Sequence, residues 1–116
     1  MARFRLSGFA RADLAQILTT SGERWGPGGR RRYAALIAPA MRQVAKDTEG
    51  RTSRSRDELF RGVRSFHLKH ARVDSPKYRV RKPVHVLYYR AVSSGLVEIV
   101  RVLHEYMEPS RHIGEP

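Results

Sequence analysis

Five side chains in the second half of the chain are of the types that can cleave RNA without a metal ion. That reaction needs a base for the 2′-hydroxyl, an acid for the leaving oxygen, and cations that stabilise the charge of the phosphorane. The candidates are three arginines, a histidine and a tyrosine: Arg64, Arg90, Arg101, His104 and Tyr106. In one regular strand Arg101 and His104 would alternate to opposite faces, which argues against their joint action.

Other residue types that mark catalytic or cofactor sites are absent or poorly spaced. There are no cysteines, which excludes disulfides, thiolate metal sites and cysteine nucleophiles. His67 and His70 are three apart, which is a ligand spacing on a helix but not on a strand, and no His-Glu-x-x-His motif accompanies them. The glycines within 25–29 do not follow a strand and lack Gly-Lys-Ser/Thr. We expect no metal and no cofactor, and we expect Trp25 to pack at a turn rather than stack on a base.

A strong positive charge is the main bulk property of the chain. Lys and Arg number 23 and Asp and Glu number 11, which gives the 116 residues a net charge of +12. Such a surface attracts polyanions, so DNA, ribosomal RNA or an acidic protein are the expected classes of partner. The excess of Arg over Lys suits bidentate contacts to phosphate or carboxylate. It is equally typical of a protein from a GC-rich genome.

Neither end of the chain nor its middle suggests a membrane. No run of 18 or more apolar residues is present. The N-terminal residues lack the continuous apolar core of a secretory signal peptide. We expect a cytoplasmic protein.

The first quarter of the chain predicts a strand followed by a helix. Residues 2–7 alternate polar and apolar side chains, as in a short strand with one buried face. Ser7 stands at the N-cap position of a helix from about 8 to 23, in which apolar residues recur at helical spacing.

A second helix follows the turn at 25–29. Pro27 suits its first position, and its apolar stripe continues in phase to a stop before Gly50. Pro39 lies inside this stripe and predicts a kink. The two helices together predict a helical hairpin over 8–47.

The second half of the chain predicts three strands after a polar loop at 51–58. Strand-like runs cover 63–70, 84–90 and 96–104. The short connection 91–95 makes the last two an antiparallel hairpin.

The order of elements predicts the fold class. A basic stretch at 71–83 has no helical period and is expected to be a surface loop or a ragged strand extension. The order β-α-α-β-β-β predicts one α+β domain over 1–116, with the helical hairpin on an antiparallel sheet within 63–104 and a tail at 105–116.

One face of this sheet has no predicted cover. Two helices can cover only one face, which leaves either Leu87 and Tyr89 or their opposite-face neighbours exposed. A contiguous exposed apolar patch usually marks a partner site. The alternative is that the tail at 105–116 folds back over it.

Several segments, taken in order, resemble a known family. They are Phe-Arg-Leu-Ser-Gly-Phe-Ala-Arg-Ala-Asp-Leu at 4–14, Glu-Arg-Trp-Gly at 23–26, Arg32-Tyr33, Gly-Val-Arg-Ser-Phe at 62–66, Val86 to Arg90, Val-Glu-Ile-Val-Arg-Val-Leu-His at 97–104, and Glu-Tyr-Met-Glu-Pro-Ser-Arg-His at 105–112. The ordered set resembles the ParE toxins, in the wider RelE/ParE family of type II toxin–antitoxin modules.

The resemblance implies a function and its partners. The fold would be RelE/ParE-like, and the toxin would poison DNA gyrase by binding rather than by chemistry. A ParD-like antitoxin would neutralise it in an assembly of two toxins on an antitoxin dimer, with operator DNA contacted only through the antitoxin. The alternative is a ribosome-dependent mRNA endonuclease of the RelE type, whose catalytic residues would come from the five candidates above. A basic nucleic-acid-binding module without toxicity is a third hypothesis.

Apolar stripes of the hairpin and neighbouring sheet residues are the expected antitoxin contacts. They are Leu14, Leu18, Trp25, Tyr33, Ile37 and Met41 on the helices, with Arg64, Tyr89 and Arg90 on the sheet.

Overall fold

One long bent helix packs on a five-stranded sheet in the computed structural model, which describes residues 2–73 and 80–114. The elements are β1 (Arg3–Leu6), α1 (Gly8–Lys46), β2 (Arg54–Ser55), β3 (Arg64–His67), β4 (His85–Ser93) and β5 (Leu96–His104), with short 3-10 turns at Leu68–His70 and Pro109–Arg111. The strand order across the sheet is β1-β5-β4-β3-β2. The predicted α+β fold class is confirmed.

The sheet is mixed, so the prediction of an antiparallel sheet was wrong for its first strand. β1 runs parallel to β5, with Phe4 opposite Val97. The other three pairings are antiparallel, including the predicted β4–β5 hairpin. Sequence spacing identifies hairpin partners because the connection is short, but the partner of β1 is 90 residues away and is chosen by packing.

Three strand boundaries differ from the sequence prediction. The polar loop at 51–58 contains the two-residue strand β2, whose side chains are exposed and show no apolar alternation. β3 ends at His67 and gives way to a 3-10 turn, while β4 extends to Ser93. Of the basic stretch at 71–83, residues 74–79 lie outside the described part of the chain.

The bend in α1 falls at one residue. Gly26 has φ 72° and ψ −175°, and it is the one residue inside α1 with non-helical backbone angles. A methyl group on Gly22 would lie 3.8 Å from the Cβ of Arg30, whereas residues eight apart in a straight helix rise by about 12 Å. Residues 8–25, the first limb, therefore meet residues 27–46, the second limb, at a sharp bend. The predicted turn at 25–29 is reduced to Gly26.

Ser7 fixes the N-terminal end of the first limb to the sheet, whereas Pro39 does not disturb the second limb. Ser7 caps α1, because its Oγ accepts a hydrogen bond from the Ala10 amide at 3.0 Å, as predicted. The same Oγ donates to the carbonyl of Val100 in β5 at 2.7 Å. In the second limb the backbone stays helical at Pro39, and the kink expected there lies at Gly26 instead.

The larger core lies between α1 and the sheet. Leu36, Ile37, Ala40 and Val44 of the second limb are at most 4% exposed and pack with Ile99 and other sheet residues. Their offsets of 0, 1, 4 and 8 place them on one face of the helix, as the stripe predicted.

The opposite face of the sheet is covered, so the exposed patch predicted there is absent from the described residues. Tyr88 and Leu103 pack with Val63 and with Ile113 of the tail, which is 4% exposed. The guanidinium of Arg56 lies 5.7 Å from the ring centroid of Tyr88. The tail and the loop before β3 therefore close this face, which was the alternative reading of the sequence.

Substitution of Gly26 by Ala should destabilise the protein by about 1–3 kcal/mol. Its backbone angles lie in a region essentially reserved for glycine. Urea denaturation followed by circular dichroism measures the loss. Gly28→Ala is the matched control in the same bend, since its new Cβ meets only the movable end of the Arg32 side chain at 3.2 Å. Equal losses in the two variants would contradict the assignment of strain to Gly26.

Candidate functional site

A groove of about 1030 Å³ opens beside the bend in α1. Both limbs of α1, residues 80–85, the end of β5 and the tail contribute to its walls. Its floor includes the buried residues Ile17, Tyr33 and Val102. Cationic side chains surround this apolar floor: Arg24, Arg32, Arg81, Lys82 and Arg101. Asp13 is the one carboxylate among the described residues of the lining.

Asp13 joins the helix to β5 through a bidentate ion pair. The Nε of Arg101 donates to one carboxylate oxygen at 2.8 Å and a terminal nitrogen donates to the other at 2.9 Å. The amide of Val102 donates to the same carboxylate at 2.9 Å. Hydrogen bonding to Asp13 raises the pKa of the Arg101 guanidinium above its usual value. The sequence signal for this pair is weak: Asp13 is the one acidic residue of the chain between positions 8 and 22.

Arg101 is also bound on its other sides. It donates to the backbone carbonyl of His112 at 2.9 Å, and its guanidinium lies 5.1 Å from the ring centroid of Phe9. Arg101 therefore holds the tail against the helix, and its hydrogen-bonding nitrogens are engaged within the protein.

A β-bulge changes which face the end of β5 presents. Tyr88 pairs with Arg101 and Tyr89 pairs with Ile99, so Val100 is the extra residue. After the bulge Val102 packs on the helix side, and Arg101 and His104 both line the groove. The register with β4 is regular from Arg101 to His104, so these two side chains start on opposite faces of β5, as expected, although both line the groove.

Tyr33 and His85 form a polar pair at the floor of the groove. The hydroxyl of Tyr33 is hydrogen-bonded to Nδ1 of His85 and accepts the amide proton of Val84 at 3.3 Å. Burial, followed by the neighbouring His104 and His67, lowers the pKa of His85 to about 4. Burial raises the pKa of Tyr33. At neutral pH both groups are therefore uncharged. The sequence analysis did not single out His85.

His104 and Tyr106 are the two RNase candidates that the structure brings together. Their ring centroids are 5.3 Å apart, and Tyr106 is 84% exposed. Nδ1 of His104 accepts the amide proton of Tyr106 at 3.1 Å. The His104 ring also packs edge-on against His85 at 5.6 Å between centroids.

Arg64 and Arg90 lie at the other end of the sheet. Arg64 pairs in register with Tyr89, four residues along β4 from His85, a span of about 14 Å. Its Nε donates to Ser53 at 2.7 Å. Arg90 donates to Glu98 at 3.2 Å. The five RNase candidates do not converge on one point.

A hydrogen-bonded pair of His67 and Glu105, which the sequence analysis did not predict, lies beside the groove. Nδ1 of His67 accepts the amide proton of Lys69, so the proton is on Nε2, which donates to Glu105 at 2.6 Å. This bond lowers the pKa of Glu105. Among residues 2–73 and 80–114, no three His, Asp or Glu side chains are grouped so as to hold a metal ion.

The expected antitoxin contacts divide into buried and exposed sets. The buried members, each at most 8% exposed, belong to the protein's own core: Tyr33, Ile37, Met41 and Tyr89. Leu14 and Leu18 are partly exposed, and Trp25 is 70% exposed, so the turn does not bury its ring as we expected. Offsets of 0, 4 and 11 place these three on one face of the first limb.

Within the described part of the chain, no helix combines the length and the hydropathy that crossing a bilayer requires.

The stability of the protein should fall as the pH drops from 6.5 towards 4. His85 has a pKa of about 4 in the fold against 6.5 when unfolded, so in this window the unfolded chain binds a proton that the folded chain excludes. After allowance for solvent screening, the loss at pH 5 relative to pH 7 is about 1 kcal/mol. Urea denaturation at the two pH values measures it.

His85→Gln should reduce this pH dependence, and His112→Gln should not. His112 is exposed and contributes only its backbone carbonyl to Arg101. An unchanged difference between pH 7 and pH 5 in His85→Gln would refute the assignment to His85.

Comparison with known proteins places these features in a family. The sequence profile of the ParE toxin of the type II toxin–antitoxin system, parDE, matches residues 4–109. Toxin ParE1 of Mycobacterium tuberculosis, in two strains, is 28% identical over 112 residues, which cover 97% of this chain and 98% of the relative. Toxin ParE1 of Caulobacter vibrioides is 31% identical over 114 residues, which cover 98% and 100% respectively. With a matching profile over most of its length and a full-length relative above 30% identity, the chain belongs to the ParE toxin family of type II toxin–antitoxin systems.

Proposed function

We propose that this ParE toxin poisons DNA gyrase by binding to it, without chemistry of its own, and that its antitoxin is ParD-like. As a toxin of a type II system it pairs with an antitoxin. The gyrase target and the ParD type are inferences from the resemblance of its segments to the ParE toxins. A gyrase target also implies action in the cytoplasm.

The observation that supports a binding mode of action is the dispersal of the RNase candidates. A metal-free ribonuclease needs its base, acid and cations around one phosphate. His104 and Tyr106 lie together, but Arg64, opposite Tyr89, and Arg90 are four and five residues further along the sheet than His85, a span of about 14–17 Å. Arg101 is nearer, yet its guanidinium is engaged by Asp13 and by the tail.

The first limb offers the surface that best suits an antitoxin. Leu14 and Leu18 keep part of their side chains exposed beside Phe4 and Leu6 of the edge strand β1. This stripe continues to the exposed ring of Trp25. An apolar stripe on a protein of net charge +12 suits a flexible acidic segment with apolar side chains at helical spacing.

The remaining partner inferences follow from the resemblance alone. We propose two toxins on an antitoxin dimer, with operator DNA contacted through the antitoxin. Size-exclusion chromatography with light scattering measures that stoichiometry.

Purified toxin should convert supercoiled DNA to linear DNA in the presence of gyrase. A poison that traps the enzyme on cleaved DNA leaves double-strand breaks when the reaction is stopped with denaturant. Addition of the antitoxin should remove the linear product, because it covers the surface that gyrase needs. Agarose gel electrophoresis of a cleavage reaction measures both effects.

The variant His104→Ala with Tyr106→Phe separates binding from ribonuclease chemistry. Under the proposal it retains at least half of the gyrase-dependent linearisation and still arrests growth. A folded variant that binds antitoxin normally but no longer arrests growth would favour mRNA cleavage. A wild-type protein that arrests growth without affecting gyrase would exclude the gyrase target.

Leu18→Lys should weaken antitoxin binding at least tenfold. It places a charge in the apolar stripe of the first limb, where a desolvated ammonium costs more than about 1.4 kcal/mol. Ala15→Lys is the matched control: Ala15 is exposed on the same limb, and the substitution adds the same charge outside the stripe. Isothermal titration calorimetry measures both affinities, and urea denaturation checks that both variants fold. Equal effects of the two lysines would contradict a contact through the stripe.

A further inference from the structure

Four arginines cluster at the bend of α1 without protein partners in the described residues. Arg24 lies next to the last residue of the first limb, and Arg30, Arg31 and Arg32 lie in the first two turns of the second limb; all four are exposed. The salt bridges found among residues 2–73 and 80–114 involve other cations: Arg5, Arg56, His67, Arg90 and Arg101. We call these four arginines together with Trp25 the apex.

Two glycines of the bend allow side chains of the apex to pack closely against the backbone. The Cβ of Trp25 lies so close to Gly29 that a side chain at 29 would clash with it. The side chain of Arg32 turns back to Gly28, where an added Cβ would meet its guanidinium at 3.2 Å. The Cβ of Trp25 therefore packs closely on Gly29, while the residue as a whole is 70% exposed.

The apex continues into the basic groove. Arg24, Trp25 and Arg32 line the groove from the limbs, and Arg81 and Lys82 line it from the connection before β4. Asp13, the carboxylate of the described lining, is neutralised by Arg101. The rim therefore carries several cations, and the only anion among the described lining residues is already paired.

We propose that the apex and the adjoining groove bind single-stranded DNA, with arginines on the phosphates and the ring of Trp25 stacked on a base. A positively charged groove with an exposed aromatic side chain is the common arrangement of proteins that bind single strands. Guanidinium groups suit phosphate because they donate two parallel hydrogen bonds to it. A duplex keeps its bases stacked, so it leaves the indole ring without a partner.

The choice of DNA over RNA rests on the proposed function, since gyrase holds DNA next to any toxin bound to it. Single-strand binding itself rests only on the apex and the groove. A nucleic acid suits this position better than an acidic peptide because Trp25 lines the groove together with Arg24 and Arg32, whereas Leu14 and Leu18 do not line it.

The fluorescence of Trp25 provides a direct test, because it is the only tryptophan in the chain. Titration of the isolated toxin with a dodecamer of deoxythymidine should quench this fluorescence as the ring stacks. The binding constant should fall steeply with salt, as expected when phosphate contacts release counterions. Rising salt should restore the fluorescence.

Variants measured by anisotropy of a labelled dodecamer assign the contacts. Trp25→Ala should weaken binding about 5- to 150-fold, the range for one stacked base. Arg24→Gln and Arg32→Gln should each weaken binding and reduce the slope of log K against log salt by about 0.7. Arg11→Gln is the matched control: Arg11 is exposed on the same limb about 20 Å from Arg24, and its substitution removes the same charge.

Four results would overturn the proposal. They are an absence of quenching, a loss in Arg11→Gln equal to that in Arg32→Gln, tighter binding of an oligouridine than of the oligodeoxythymidine, and displacement of the DNA by oligoglutamate at lower concentration than by unlabelled DNA. The last would assign the surface to an acidic protein segment. None of these results affects the gyrase cleavage assay, which contains no free oligonucleotide, so the two proposals fail separately.

Discussion

The ion pair between Asp13 and Arg101 connects three of the elements that form the groove: the first limb of α1, β5 and the tail. Asp13 lies on the first limb of α1, and Arg101 lies in β5 next to the bulge at Val100. The carboxylate accepts three N–H groups, and the guanidinium passes on to the tail through the carbonyl of His112. Both side chains are about 15% exposed, so removal of either partner leaves the other as a largely buried charge without its counterion. The helix, the sheet and the tail meet the groove in a fixed relation because of this pair.

The cations of the protein fall into two groups, according to whether the fold gives them partners. On the sheet, Arg90 and Arg5 share Glu98, and Arg64 is bound by Ser53. These arginines already have partners within the sheet, so fewer of their N–H groups are free to bind another molecule. At the bend of α1 and along the rim of the groove, the arginines other than Arg101 have no such partners among the described residues. A net charge of +12 therefore says little by itself about function, and the useful information is which cations the fold leaves unpaired.

Local signals in the sequence predicted the elements well, and tertiary relations poorly. Ser7 as a helix cap and the apolar stripe of the second limb depend on neighbours within one or two turns, so they can be read from spacing. The parallel partner of β1, the bulge at Val100 and the burial of Ile113 depend on residues far apart in the chain. The bulge matters most for the site, because it changes the face on which His104 lies. Trp25 shows the same limit: a glycine-rich turn predicts that the chain bends there, but not that the ring stays exposed.

The charge distribution of the groove supports the proposal of an acidic antitoxin segment. The floor of the groove is uncharged at neutral pH, since the pKa of His85 is about 4 and the Tyr33 hydroxyl is protonated. The charge of the site therefore resides on its rim, on flexible side chains that can meet either phosphates or carboxylates. Under the proposed binding of an acidic segment along Leu14 and Leu18, that segment would end beside this rim and lower its positive potential. It would then neutralise the toxin both by its charge and by covering the limb, and salt would weaken the charge effect much more than the coverage.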